Sequence, residues 1–281
     1  MKARQALLFV LSTVLLFAGC GSNPPALSPQ QETAIQHNQR GRTAFEQGDY
    51  SEARAAYQQA LAIHQSVENT EGIATELMNL SVVYRRLGDT TAAHGALDQI
   101  INPSGLSFAS AQRAEAAYRK ASFYLEDGNR NEAKSWADKA LGFCQSCGTE
   151  GRLYNLLARM SLPGNPQETL SLARRALAMN RNNSDKAEEA NSLRLIADAS
   201  FATGDFKTAQ QFYGDALSLD KDAGSATKIA LDLMGLARSL AQQGRRNEAA
   251  DYFRRAYSVS EGAGDSRTMG EAAEELKKVT P

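Results

Sequence analysis

One spacing constrains the fold of this chain more than any other feature. Glycine recurs every 40 residues, with a single step of 36, and a small residue follows each glycine five positions later. Repetition at such a period predicts an array of equal supersecondary units, and no single unit can bury its apolar face alone. Six segments share the pattern without gaps, and they begin at Gly48, Gly88, Gly128, Gly164, Gly204 and Gly244.

Each unit has the pattern of a helix, a turn and a second helix. Apolar residues at helical spacing precede each glycine, such as Leu193 and Ile196 before Gly204. The glycine is expected to end the first helix, because a left-handed residue is least costly there. Other positions are expected to pack the helices: crossing alanines at Ala53, Ala93, Ala133, Ala209 and Ala249, and gap-filling aromatic residues at Tyr57, Tyr213 and Phe253.

These positions resemble the tetratricopeptide repeat, over residues 34–260. The resemblance implies an all-α fold, a right-handed superhelical solenoid of antiparallel helix pairs. The period of 40 exceeds the usual value of about 34 and is similar to the kinesin-light-chain-like subgroup. Repeat four has Thr169 in place of the alanine, with Pro163 and Pro166 around its glycine, so we expect a tighter turn there. A last helix, capped by Asp265 or Ser266 and carrying Met269, Ala272, Ala273, Leu276 and Val279, is expected to cover the final repeat.

The first residues differ from the rest of the chain. Lys2 and Arg4 precede an apolar run that is too short to span a bilayer, as in a signal peptide. Phe17-Ala18-Gly19-Cys20 resembles a bacterial lipobox, which implies a lipid anchor on Cys20. We therefore expect a lipoprotein signal peptide at 1–19, a lipidated tether at 20–31 and the repeat domain at 32–281. Gly21, where an aspartate would retain the protein at the inner membrane, favours the periplasmic face of the outer membrane.

Composition and motifs argue against several functions. The net charge of −1 gives no field for nucleic acid. The histidines His37, His64 and His94 lie in different repeats without metal-ligand spacing, and the glycines form no phosphate loop. We therefore expect no enzymatic activity, no cofactor and no metal.

Cys144 and Cys147 form the one motif with redox character. They follow the C-terminal end of a helix, where the helix dipole opposes a thiolate. Two interpretations stay open, a local disulfide in an oxidising compartment and two unpaired small residues.

In the family, a partner binds the concave face formed by the first helix of each pair. Arg194 and Arg238 are expected to be exposed there, so that their replacement would leave melting almost unchanged. Carried onto this sequence, the candidate groove residues are Asn38, Arg42, Phe45, Met78, Val82, Arg85, Tyr118, Ser122, Tyr154, Asn191, Arg194, Asp198, Phe201, Met234 and Arg238.

The leading hypothesis from the sequence is a membrane-anchored scaffold or adaptor of the bacterial cell envelope. It would hold a peptide or helix of another envelope protein in its groove, and a role like that of the pilotin lipoproteins is one form of this. The alternatives are a peptide-sensing regulatory protein and a structural envelope protein that self-associates as a homo-oligomer.

Overall fold

The computed structural model describes residues 28–144, 147–162 and 164–280. The expected signal peptide, Cys20, most of the expected tether and Pro163 lie outside the described residues.

The described residues form thirteen α-helices and no strand. None of these helices is both long enough and apolar enough to cross a membrane. In chain order they are α1 (Pro29–Glu46), α2 (Tyr50–Ser66), α3 (Thr70–Arg86), α4 (Thr90–Ile101), α5 (Ser110–Glu126), α6 (Arg130–Phe143), α7 (Glu150–Ser161), α8 (Pro166–Asn182), α9 (Lys186–Ala202), α10 (Phe206–Asp222), α11 (Ala226–Gln242), α12 (Arg246–Ala263) and α13 (Ser266–Val279).

The helices pack in consecutive pairs along the chain. Each odd-numbered helix contacts the even-numbered helix that follows it. It also contacts the next odd-numbered helix, through side chains between α1, α3 and α5 and through closer backbone packing from α5 onward. The odd-numbered helices therefore form one continuous face of the stack, which we call the inner face. This arrangement confirms the expected all-α superhelical solenoid.

The turn inside each pair follows the repeating glycine. Gly204 has φ +81°, and the amide of the next residue, Asp205, donates to the carbonyl of Ser200, five residues back, at 2.9 Å. In repeat four, Asn165 donates instead to Ser161, only four residues back, at 2.8 Å. The expected tighter turn in repeat four is thus confirmed.

The small residues lie where helices cross. The five crossing alanines, from Ala53 to Ala249, have no exposed surface. Thr169 is equally buried, and its hydroxyl lies 2.9 Å from that of Ser161 and donates to the Asn165 carbonyl at 3.1 Å. A threonine fits this crossing because both helices supply hydrogen-bond partners for its hydroxyl.

The two ends of the array are closed by capped helices. At the start, α1 begins at Pro29, three residues before the expected domain boundary, because Ser28 and Gln31 form a capping box and proline suits the first helical turn. At the other end, Asp265 caps α13, whose Ala272, Leu276 and Val279 pack on the last repeat, as expected.

The junction between α6 and α7 contains the cysteine pair. A disulfide joins Cys144 and Cys147 in the structure, with Cα atoms 5.1 Å apart, and both residues are buried. Their side chains belong to the core that extends from α3 to α7.

Candidate functional site

The inner face contains a cavity of about 410 Å³ in its C-terminal half, which we call the C-terminal pocket. Residues from α5, α7, α9 and α11 line it, and no even-numbered helix contributes. They are Tyr118, Arg152, Asn155, Leu156, Arg159, Leu162, Glu188, Asn191, Arg194, Leu195, Asp198, Lys228 and Leu231.

The pocket follows a simple register that is counted from the helix N-caps. Most lining residues of α7, α9 and α11 lie three, six, ten or thirteen residues after the caps Thr149, Asp185 and Ser225. Positions with these spacings lie on one face of an α-helix. Neighbouring helices therefore present equivalent residues side by side to the same cavity.

Leucines give the pocket an apolar floor and one exposed apolar wall. Leu156 and Leu195 are buried at the base, 3% and 9% exposed. Leu231 on α11 remains 43% exposed. An exposed leucine beside a preformed cavity is a suitable contact for an apolar side chain of a ligand, because binding would remove its surface from water.

The rim carries two cations that have no partner among the described residues. Arg152 already has a partner, since its guanidinium pairs with Glu115 at 2.6 Å and lies over the ring of Tyr118. Arg159 and Lys228 make no hydrogen bond or ion pair with a described residue. These two side chains are free to pair with carboxylates of a ligand.

A polar network holds α7 against α9 beneath the rim. Asn155 donates to the Glu188 carboxylate at 2.8 Å and accepts from the Ser192 hydroxyl at 2.8 Å. Asn180, from α8, donates to the same hydroxyl at 3.0 Å. Because Asn155, Ser192 and Asn180 are buried, the network fixes the pocket wall before any ligand arrives.

Arg194 is part of the pocket wall and of a buried ion cluster. Its guanidinium bridges two carboxylates, Asp232 at 2.6 Å and Asp220, which are 0% and 1% exposed. Burial raises the pKa of Asp232 to about 7, a rise that Arg194 opposes and the neighbouring Asp220 reinforces. We call these three residues the Arg194 cluster; they join α9, α10 and α11.

Asp198 lies beside this cluster on the same wall. The Tyr213 hydroxyl donates to Asp198 at 2.5 Å. Burial raises the pKa of Asp198, while the Tyr213 hydrogen bond and the charges of Arg194 and Arg238 oppose the rise. Asp198 is thus held by a hydrogen bond beside the ion pairs of the Arg194 cluster, and the cations without a partner among the described residues lie at the rim.

A second cavity, of about 400 Å³, lies between α1 and α3, and we call it the N-terminal pocket. Its charged lining residues are Glu71 and Glu76, and it contains no lysine or arginine. Burial raises the pKa of Glu76, which accepts a hydrogen bond from Asn38 at 2.6 Å. Ile35 projects into this pocket from α1 and is 41% exposed.

Both pockets combine a concave shape with apolar and charged lining residues, which suits them to bind a ligand. Within the described part of the chain, no three His, Cys, Asp or Glu residues are grouped in a way that could hold a metal ion.

Family models match three stretches of the chain. Each is described as a tetratricopeptide repeat, and the matches cover residues 32–102, 114–147 and 233–262. Together with the stacked helix pairs, they decide the family. The chain is a tetratricopeptide repeat protein. A search of the curated proteins gave no match.

Solved structures with similar folds are distant in sequence. PilF of Pseudomonas aeruginosa aligns with a TM-score of 0.60 at 19% identity, over 88% of this chain and all of that one. A Rap protein complexed with competence and sporulation factor aligns with a TM-score of 0.55 at 17% identity, over 89% of this chain and 77% of that one. A signal transduction ATPase of Pyrococcus horikoshii, with a tetratricopeptide repeat sensor, gives 0.60 at 16% over 89% of this chain, which spans 40% of its length. At these identities the likeness shows the fold alone.

The structure brings together part of the groove set expected from the sequence. Tyr118, Asn191, Arg194 and Asp198 line the C-terminal pocket, and Asn38 lines the N-terminal pocket. Arg42 and Arg238 lie outside both pockets, partly exposed and paired with Glu46 and Glu271 respectively. Met78, Val82 and Ser122 are half-buried along α3 and α5 and line neither pocket.

The expectation was wrong for Met234, which is 2% exposed and belongs to the core. Met234 lies ten residues before its turn glycine, as Asn38 and Arg194 do. Asn38 bonds Glu76 and Arg194 bonds Asp232, in each case on the next odd-numbered helix. This position packs one repeat on the next, so the expected exposure of Arg194 was wrong as well.

Other expected groove residues close turns or contact neighbouring helices. The ring of Phe45 packs on Tyr50 and that of Phe201 on Phe206, each across the turn inside a helix pair. Arg85 pairs with Asp127 of the next repeat at 2.8 Å. Tyr154 accepts a hydrogen bond from Arg175 at 2.6 Å.

Sequence reasoning missed the residues that leave the pocket open and charged. Arg159, Lys228 and Leu231 were absent from the expected set. Leu231 lies thirteen residues before its turn glycine, as Asn191 does, so that position of the pattern already pointed to it. Arg159 was missed because α7 is shorter than its neighbours, which shifts its register relative to the glycine.

Proposed function

We propose that this tetratricopeptide repeat protein is a lipid-anchored adaptor of the bacterial envelope that holds a segment of a partner protein on its inner face. The observation that carries the binding part is the C-terminal pocket. Its exposed Leu231, together with Arg159 and Lys228, which have no partner in the part of the chain that the structure describes, surrounds an apolar floor. No part of this role needs a catalytic step, a cofactor or a metal.

The anchoring part rests on the sequence before residue 28, with its apolar leader and Cys20. Each methylene of an attached acyl chain contributes about 0.8 kcal/mol in the bilayer, so several chains would hold the protein stably. Cys20→Ser should release the protein into the soluble fraction of disrupted cells. Membrane retention of that variant in high salt would contradict the anchor.

The binding part is tested by affinity capture from intact envelopes followed by identification of the captured proteins. The wild-type chain is compared with an Arg159→Ala, Lys228→Ala double variant and with a control, Arg174→Ala and Lys134→Ala, whose residues are exposed and lie outside both inner-face pockets. Each lost charge-assisted hydrogen bond is worth about 1.5–3 kcal/mol, or roughly tenfold or more in affinity. If both double variants lose their partners to the same extent, the C-terminal pocket does not bind those partners.

A peptide-sensing regulator is the second candidate. The observation in its favour is the fold likeness to a Rap protein complexed with competence and sporulation factor. A sensor would change its set of captured proteins when a peptide is added, whereas an adaptor would lose a partner only by competition. Recovery of the chain alone would instead support self-association.

A further inference from the structure

Two exposed aliphatic residues mark the ends of the inner face. Ile35 lies thirteen residues before Gly48 and Leu231 thirteen before Gly244, and they are 41% and 43% exposed. Each borders its own pocket. On α3, α5 and α9 the residue thirteen before the turn glycine is polar: Thr75, Glu115 and Asn191. On the shorter α7 the equivalent of Asn191, counted six residues from the N-cap, is Asn155. The inner face therefore has two exposed aliphatic contact points, and the equivalent positions between them are polar.

The two contact points carry opposite charge. The N-terminal pocket contains Glu71 and Glu76 and no lysine or arginine. Burial lowers the pKa of its one histidine, His64, which favours the neutral form. The C-terminal pocket contains three arginines and a lysine against two acids. Its two carboxylates accept hydrogen bonds from Asn155 and Tyr213, whereas Arg159 and Lys228 have no partner among the described residues. Charge thus distinguishes one end of the inner face from the other.

The distance between the contact points sets the length of an occupant. From α1 to α11 there are five steps between neighbouring odd-numbered helices, and packed helices lie about 8–10 Å apart, so the span is roughly 40–50 Å. An extended chain covers this in about 12–15 residues at about 3.3 Å each. An extended chain can reach both contact points without apolar contacts between them. An amphipathic helix would need a continuous apolar strip instead.

We propose that the inner face binds one extended partner segment of fixed direction, with two apolar side chains about 12–15 residues apart. A lysine or arginine accompanies the apolar side chain that contacts Ile35. An aspartate or glutamate accompanies the one that contacts Leu231 and pairs with Arg159 and Lys228. This binding mode rests on the proposed binding function. It adds to that function the number of contact points, the spacing between them and the opposite charge at each end.

The test is selection of random 20-residue peptides displayed on phage against the purified full chain. The same selection is made against Ile35→Ser, Leu231→Ser and a control, Val67→Ser, whose valine is 47% exposed at the turn after α2 and lines neither pocket. Wild type and control should enrich sequences with two apolar residues at the stated spacing, basic beside one and acidic beside the other. Ile35→Ser should enrich only the acidic half of this sequence, which contacts Leu231, and Leu231→Ser should enrich only the basic half, which contacts Ile35.

The enriched sequence is then synthesised whole, as separate halves and with its charges exchanged between the ends. Joining two weak sites raises affinity by about 10²–10⁴ over either half, so the whole peptide should lose at least tenfold with Ile35→Ser or Leu231→Ser. Exchanging the charges should weaken binding to a similar extent. An acidic half that binds as tightly as the whole, with no effect of Ile35→Ser, would overturn this inference and leave the proposed function standing. Selection that enriches no sequence over a bare surface would overturn both.

Discussion

The Arg194 cluster gives the sharpest prediction for stability. Replacing Arg194 with methionine keeps most of the side-chain volume but removes the cation that, among the described residues, alone pairs with Asp220 and Asp232. Removing one partner of a buried ion pair costs about 3–5 kcal/mol, because the remaining charge stays buried. For a domain of this size a change of 1 kcal/mol shifts the melting temperature by about 2–4 °C, so we expect a fall of roughly 6–20 °C.

The pH dependence of this loss follows from the raised pKa of Asp232, about 7 when folded against about 3.9 when unfolded. Between these values the folded state binds more protons than the unfolded state, so acidification stabilises the fold at this site. Without Arg194 the pKa of Asp232 rises further, and acid relieves the variant more than the wild type. The melting difference should therefore shrink from pH 8 to pH 5.

Circular dichroism melts of wild type, Arg194→Met and the exposed control Arg174→Ala at both pH values test this reasoning. The control should melt within about 2 °C of wild type, since surface changes usually stay within about 0.5 kcal/mol. A variant that melts with the control at pH 8, or whose difference from wild type grows on acidification, would refute it.

Three further predictions concern the repeats. Ala209→Leu should lower stability by about 1–3 kcal/mol in urea unfolding, because the crossing at Ala209 is fully buried; the exposed Ala202→Leu on the neighbouring helix should not. Gly204→Ala should lower the free energy of unfolding by about 1–2 kcal/mol, because Gly204 has a φ of +81°. As a control in the same assay, Gly214→Ala inside α10, where an added Cβ meets no atom within 4 Å, should leave stability unchanged or raise it by up to about 1 kcal/mol. Burial and the nearby charges of Lys120 and Arg85 lower the pKa of His94. The neutral imidazole therefore favours the folded state fully above about pH 6.5, and this contribution to stability is lost as the pH falls below that value. His94→Phe, which keeps the stacking on Tyr124, should raise the melting temperature at pH 5 by more than at pH 8.

The sequence predicted the parts of this fold that repeat. The crossing alanines, the turn glycines and the capping helix after Asp265 follow from local rules that apply equally in every unit. Even the irregular turn of repeat four was visible, because Pro166 and Thr169 break the pattern locally.

The binding surface was harder to predict, because it depends on how one repeat sits on the next. Met234 and Arg194 occupy the same position of their helices, yet one packs in the core and the other pairs with Asp220 and Asp232. Burial there depends on the residue that the neighbouring helix supplies. A shift of one residue rotates a helical side chain by about 100°, so the shorter α7 was enough to move Arg159 out of the expected set.

Position-specific photo-crosslinking in intact cells tests whether the inner face binds a partner. A photoreactive amino acid replaces Leu231 in the C-terminal pocket or, as a control, Lys134, which is exposed on α6. We expect a covalent adduct with another protein from position 231, none from position 134, and loss of the adduct in the Arg159→Ala, Lys228→Ala background. Adducts that form from position 134 and not from position 231 would contradict binding at the inner face.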